Sequence, residues 1–341
     1  MLHGHRTWVF ERTPVISGVA TVVGPEEGNG PLADDFDIIH EDKMLGQKSW
    51  EKAEHQLLEE ATKLAVENAG ITKEQLGFYI SGDLLNQITS SSFTARTLSV
   101  PYIGVFGACS TSMESLALAA FIVNAGGAQY VLSATSSHNS TAERQFRYPT
   151  EYGAQKPPTA QYTVTGAGAA VVTIDEQAAG PIITSATLGR VVDMGIKDPF
   201  NMGAAMAPAA VDTIQAHLKD LNRSPADYDL IVTGDLASVG YDIALELFKK
   251  HQVPIEETHY DDCGLMVYDR EKQPVQAGGS GCACSATVTY GHLLKKMARG
   301  ELNRILVVAT GALLSPLTFQ QGESIPCIAH AVCIENRGVS S

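Results

Sequence analysis

The chain has 341 residues, 44% of them hydrophobic and 18% charged, with a formal net charge of −14. That length and apolar content predict one large or two ordinary domains with a substantial core and exclude general disorder, and the acidic balance without any basic stripe excludes a nucleic-acid partner, though not a small anionic ligand held by a local site. No apolar run approaches the ~18 residues of a membrane helix, residues 1–12 lack the apolar core of a signal peptide, and the six cysteines show neither a disulfide framework nor zinc-ligand spacing, so neither a metal nor a cofactor is expected.

In chain order, residues 14–23 alternate apolar and small side chains and predict a strand. Residues 24–44, rich in Gly, Asp and Pro, predict a long surface loop. A helix is expected over 50–69, with Ser49 as its cap, Gly70 as its stop, and Trp50, Ala53, Leu57, Ala61, Leu64 and Ala65 at helical spacing. Thr72 and Gln75 form a capping-box pattern before a strand at 78–81 and the pair Gly82-Asp83. A short helix at 93–99 leads to a strand at 103–106. Gly107 and Ala108 allow a sharp turn, and Cys109 stands where the next helix begins. Leu116, Ala119, Ala120 and Val123 give that helix an apolar face, Gly126-Gly127 ends it, and 131–134 is a buried strand. A thiol at a helix N-terminus meets unpaired N–H groups and the positive end of the helix dipole, which favour the nucleophilic thiolate. Cys109 is therefore expected to alkylate faster than the other five thiols.

Residues 138–156 predict a polar loop carrying His138, Arg144 and Arg147, with Phe146 and Tyr148 interleaved. A long strand at 162–174, broken by Gly166-Ala167-Gly168, and a linker at 175–181 follow. The second half predicts strands at 182–192, 230–233, 305–309 and 326–334. Its helices are expected at 204–221, 239–251 and 284–299, and an acidic connection spans 254–276.

Two segments recur in register. TKEQLGFYISGDL (72–84) matches SPADYDLIVTGDL (224–236), and CSTSMESLALAAFIVNAGGAQYVLSAT (109–135) matches CSATVTYGHLLKKMARGELNRILVVAT (284–310), which pairs Cys109 with Cys284. A repeated strand–helix unit of this size predicts two similar α/β halves, 1–175 and 182–341, with largely parallel sheets.

A duplicated α/β chain with Cys at a helix start resembles the thiolase superfamily, which includes thiolases and ketoacyl-ACP synthases. The resemblance rests on Gly107-Ala108-Cys109-Ser110, on TGAGAA at 165–170, on GGSG at 278–281 and on ATGA at 309–312. It implies duplicated α/β/α/β/α layers. LHGHRTWVF, VFGACSTSMESLALAAF and QAGGSGCACSATVTYGHLL are in addition similar to a family of sporulation proteins of spore-forming bacteria. That likeness implies binding of dipicolinic acid, a small aromatic dicarboxylate, and a part in moving it into the developing spore. It further implies membrane-protein partners of the SpoVA complex, a soluble chain peripheral to the spore inner membrane, and a homodimer formed through the edge strand before the nucleophile.

The acyl-condensing relatives set His plus His, or His plus Asn, beside their nucleophile. Here the two places read Thr233-Gly234-Asp235 and Gly279-Ser280-Gly281, and His292 stands too far along the next helix to substitute. The resemblance thus implies a binding pocket without the full catalytic set, with Cys109 at the nucleophile position and Cys109, His138, Arg144, Arg147, Asp235 and Ser280 as ligand-binding candidates. The alternative is an active acyltransferase or ketoacyl synthase that uses Cys109. Asp83 and Asp235 also read as turn residues closing strand ends.

Overall fold

The computed structural model describes residues 1–146 and 156–338. Arg147 and Tyr148, and with them the Phe146 side chain, lie outside the described residues. Ten strands build the main sheets: β1 Val15–Val23, β2 Leu76–Asp83, β3 Tyr102–Gly104, β4 Tyr130–Ser137, β5 Gly166–Thr173, β6 Ile182–Thr187, β7 Leu230–Thr233, β8 Tyr260–Asp262, β9 Arg304–Ala312 and β10 Cys327–Glu335. The helices that matter here are α1 Trp50–Asn68, α2 Thr89–Leu98, α3 Thr111–Asn124, α4 Asn139–Phe146, α5 Met202–Leu221, α6 Ala237–Lys250 and α7 Cys282–Thr287.

The first five strands lie in the order β3-β2-β4-β5-β1 and the second five in the order β8-β7-β9-β10-β6. Within each set one strand, β5 or β10, runs against its neighbours, and the rest point the same way. The sets join at one antiparallel pair, Val15 with Ile182. The two matched segments of the sequence thus occupy equivalent strands and helices. Both capping boxes form, Thr72 with Gln75 and Ser224 with Asp227, and each fixes the entry into its strand.

The layers follow from where apolar side chains fall. α1, capped by Ser49, packs with α2 on the outer face of the first sheet, and α5 with α6 on the outer face of the second. α3 and α7 lie between the sheets. The sequence predicts one apolar face on α3. The structure buries Met113, Leu116, Ala117, Ala119, Ala120 and Val123, most of its circumference, as a helix covered by a sheet on either side requires.

Three expectations change. Residues 24–44 are not a plain surface loop: Ile38–Ile39 pairs with the end of β1, and Glu27 is fully buried. The polar stretch after 138 begins as α4, whose Thr141 hydroxyl and Ala142 N–H donate to the His138 carbonyl; a Ser/Thr-rich segment hides such a start. The strand at 162–174 is two strands, because Tyr162–Thr163 leaves the sheet to pair with Gly279–Ser280 and only β5 continues in it. That departure brings the glycine loop to the elbow.

Candidate functional site

The elbow is built by local bonds. The Thr111 hydroxyl donates to the Ala108 carbonyl at 2.7 Å and accepts from the Gly107 N–H at 3.1 Å, and the Ser110 hydroxyl donates to the Gly107 carbonyl at 2.6 Å. Ala108 is thereby held at φ +51°, a left-handed conformation unusual for a residue with a Cβ. The end of β9 presses on this turn: a Cβ at Gly311 would overlap the Gly107 carbonyl oxygen.

Asp235 and Ser280 meet behind Cys109. The fully buried Asp235 accepts from the Thr310 hydroxyl at 2.5 Å through Oδ1, and from the Gly281 N–H at 3.0 Å and the Ser280 hydroxyl at 3.3 Å through Oδ2. Gly281 presents its N–H at φ +98°, where a Cβ would lie 2.6 Å from Ser137 Oγ. Gln161 holds the turn by donating to the Asp235 carbonyl at 2.6 Å. Burial pushes the Asp235 carboxyl up to about 6, against the pull of these donors.

The Cys109 thiol sits beside this carboxylate and is pushed well above the usual cysteine value, by burial first and by the Asp235 charge second. The dipole argument from sequence favours the thiolate, yet desolvation and a neighbouring anion outweigh a helix start that the single turn Ala108–Ser110 separates from α3 proper. Burial and the Asp235 charge thus oppose the thiolate that the helix start favours, and burial raises the other five thiols as well.

The space in front of Cys109 is a cavity of about 30 Å³, walled by Leu84, Cys109, Ala142, Met202, Ser280 and Leu314 among others. That is the room of one water, against the ~300 Å³ or more of an ordinary ligand pocket. Among the described residues, no imidazole, carboxamide or cationic side chain lines it.

The remaining candidates stand elsewhere. His138 is not on the cavity wall: its Nδ1 accepts from the Ser140 N–H at 3.1 Å and its Nε2 meets the Lys43 carbonyl at 2.9 Å, so both ring nitrogens are spent on backbone and burial lowers its pKa. Arg144 pairs with Glu51 and lines a separate open groove of about 430 Å³. Arg147 lies outside the described residues. A larger groove, about 670 Å³, runs between α1 and α2, lined by Glu59, Glu60, Glu67 and Glu74 with Lys63 and Lys73, and it touches none of the elbow residues.

Thr310 is the site residue that sequence reasoning left without a role. The repeat holds the signal: Thr310 corresponds to Thr135 as Asp235 corresponds to Asp83. Thr135 donates to the Gly82 carbonyl at 2.6 Å, next to Asp83, and Thr310 donates to Asp235. The paired aspartates then differ. Asp83 turns away to accept from the Leu85 and Ser91 N–H groups, as a strand-end residue does, whereas Asp235 faces the thiol.

Solved structures share this architecture. The 3-oxoacyl-[acyl-carrier-protein] synthase III of Aquifex aeolicus matches 94% of this chain and 99% of its own at TM-score 0.58 and 16% identity. Human mitochondrial 3-ketoacyl-CoA thiolase, solved with CoA, matches 98% of this chain and 100% of its own at TM-score 0.61 and 14% identity. Xanthomonas campestris OleA, solved as a single-residue variant, matches 96% of this chain and 99% of its own at TM-score 0.61 and 16% identity. These likenesses establish a thiolase-like fold. Stage V sporulation protein AD of Bacillus subtilis is 54% identical over 341 residues, covering 100% of this chain and 99% of that protein. With the family model of stage V sporulation protein AD matching residues 4–335, this chain belongs to that sporulation family, on a thiolase-like scaffold.

Proposed function

We propose that this chain is a non-catalytic binding protein for dipicolinic acid that assists dipicolinate uptake into the developing spore, working with the SpoVA membrane proteins at the spore inner membrane. The observation that carries the reading is the company Cys109 keeps. A condensing enzyme needs a donor for the thioester oxyanion and a group to move a proton. Asp235 opposes both the thiolate and an oxyanion beside it, and no imidazole or carboxamide lines the cavity among the described residues. Family membership supplies the sporulation setting. Because no described helix is long and apolar enough to cross a membrane, the reading assigns membrane contact to partner proteins. A homodimer through β3 fits the position of that strand at a sheet edge, with the exposed Phe106 just beyond it.

Calorimetric titration with dipicolinate tests the binding: a saturable heat is expected, and a flat trace at millimolar ligand sinks the reading. The retained thiol on a strained elbow favours a second reading, acyl transfer through Cys109. Incubation with acyl-CoA followed by intact-mass measurement separates the two. An acyl adduct lost in Cys109→Ala, with turnover, establishes the enzyme.

A further inference from the structure

We infer that the Arg144 groove is a docking vestibule for a small carboxylate outside the water-sized Cys109 cavity, with Glu51 occupying the carboxylate's place until it arrives. The inference rests on the dipicolinate-binding reading and locates that ligand's first contact.

The groove and the cavity are lined by residues that are close neighbours along the chain. Leu84 faces the cavity and Leu85 the groove; Ala142 faces the cavity and Thr141 the groove; Leu314 faces the cavity and Pro316 the groove. At about 430 Å³ the groove lies in the size range of ligand pockets, where the cavity does not.

Arg144 supplies the recognition. A guanidinium binds a carboxylate through a planar fork of N–H donors, and here one arm of the fork, Nη2, already holds the chain's own carboxylate, Glu51. The pair is exposed, with side-chain exposures of 56% and 31%, so it is weak and can be exchanged for a ligand carboxylate at little cost. Asn86 and Gln145 add amide groups to the same groove.

The cavity wall is packed, with Leu84 buried against Ala108, Cys109 and Cys282, and it is also tied to α4 by side-chain bonds. Gln145 Nε2 donates to the Leu84 carbonyl at 3.2 Å and to Asn86 Oδ1 at 2.9 Å, and its Oε1 accepts from the Asn86 N–H at 3.3 Å. One side chain of α4 thus adds to the hold on the 84–86 turn, whose Leu85 N–H also donates to Asp83 Oδ1 at 2.9 Å. The same turn continues into two left-handed residues, Gln87 at φ +57° and the β-branched Ile88 at φ +47°. A β-branched residue there is strained, and a strained turn held by a few side-chain bonds is one that a ligand can shift.

The test is titration of the full chain with dipicolinate, wild type against Glu51→Gln and Arg144→Met, with thermal melts to confirm folding. Glu51→Gln is expected to tighten binding about fivefold by removing the resident competitor. Arg144→Met is expected to weaken it at least about tenfold. In parallel, Gln145→Ala is expected to speed iodoacetamide labelling of Cys109 about tenfold by freeing the turn. If wild type binds and the Glu51 and Arg144 variants bind identically, the vestibule is overturned while the binding reading stands. If neither wild type nor Glu51→Gln binds, the binding reading fails. An unchanged labelling rate in Gln145→Ala overturns the hold by Gln145 whatever the titrations show.

Discussion

Asp235 brings a carboxylate into a site where burial alone would neutralise it, and four donors keep it partly charged: the hydroxyls of Thr310 and Ser280, the Gly281 N–H and the Cys109 thiol. The charge opposes ionisation of Cys109. Asp235→Asn is therefore expected to raise the alkylation rate of Cys109 several-fold at pH 8, and an unchanged or slower rate shows that burial alone sets the thiol. Glu27 gives a cleaner readout of burial. Its Oε1 accepts from the Thr165 N–H at 2.9 Å and from the Tyr268 hydroxyl, its Oε2 has no partner among the described residues, and desolvation pushes its carboxyl up to about 7. The folded chain therefore holds a proton here that the unfolded chain has lost between pH 4.5 and about 7. That contribution to stability is complete below the lower value and falls away as pH rises through the upper one. Glu27→Gln keeps the acceptor and places an amide at the orphan oxygen. It should flatten the fall between pH 5 and 8 by up to about 3 kcal/mol in urea unfolding, at roughly 1.4 kcal/mol for each tenfold difference in proton affinity between the folded and unfolded chain.

At the scale of elements, the two central helices carry the design. α3 has lost a polar face because a sheet covers each side, and the Ser112 and Ser285 hydroxyls bond to each other at 2.6 Å between α3 and α7. Leu116, fully buried there, should cost about 2–5 kcal/mol when cut to Ala, read as a fall in the denaturation midpoint with the slope unchanged. The tip of β9 is equally constrained. A methyl at Gly311 would overlap the Gly107 carbonyl oxygen and lie 3.0 Å from the Ser110 backbone N, atoms that move only with the turn itself, so Gly311→Ala should either unfold the elbow or displace it. A melting temperature within a degree of wild type refutes that contact. These elements were legible locally. Caps at Ser49, Thr72 and Ser224 and the glycine stops marked most boundaries, because capping is decided within a few residues. α4 was hidden, since its first turn is tied to the Glu54 carboxylate on α1 through Thr141 at 2.6 Å, a partner far away in sequence.

Across the whole molecule, two sets of five strands in the same order make one sandwich, and the site forms where loops from both sets meet. The net charge of −14 disfavours a dianion at long range, so a dicarboxylate must be caught locally, and binding should strengthen with added salt at low ionic strength. Affinity falling monotonically with salt from the lowest concentration contradicts that. A homodimer through the β3 edge should sediment at twice the 36.3 kDa chain mass, and a monomer at working concentration removes the proposal. The linear order of residues was enough to read the duplication, the element order and the elbow with its cysteine, because periodicity, caps and repeats are written in neighbouring positions. It took the packed molecule to show that Cys109 is buried beside Asp235, that His138 serves the backbone, that Arg144 faces another groove and that the cavity is water-sized. Each of those outcomes depends on which distant segments share a space and how much water is left between them, and no local pattern encodes either.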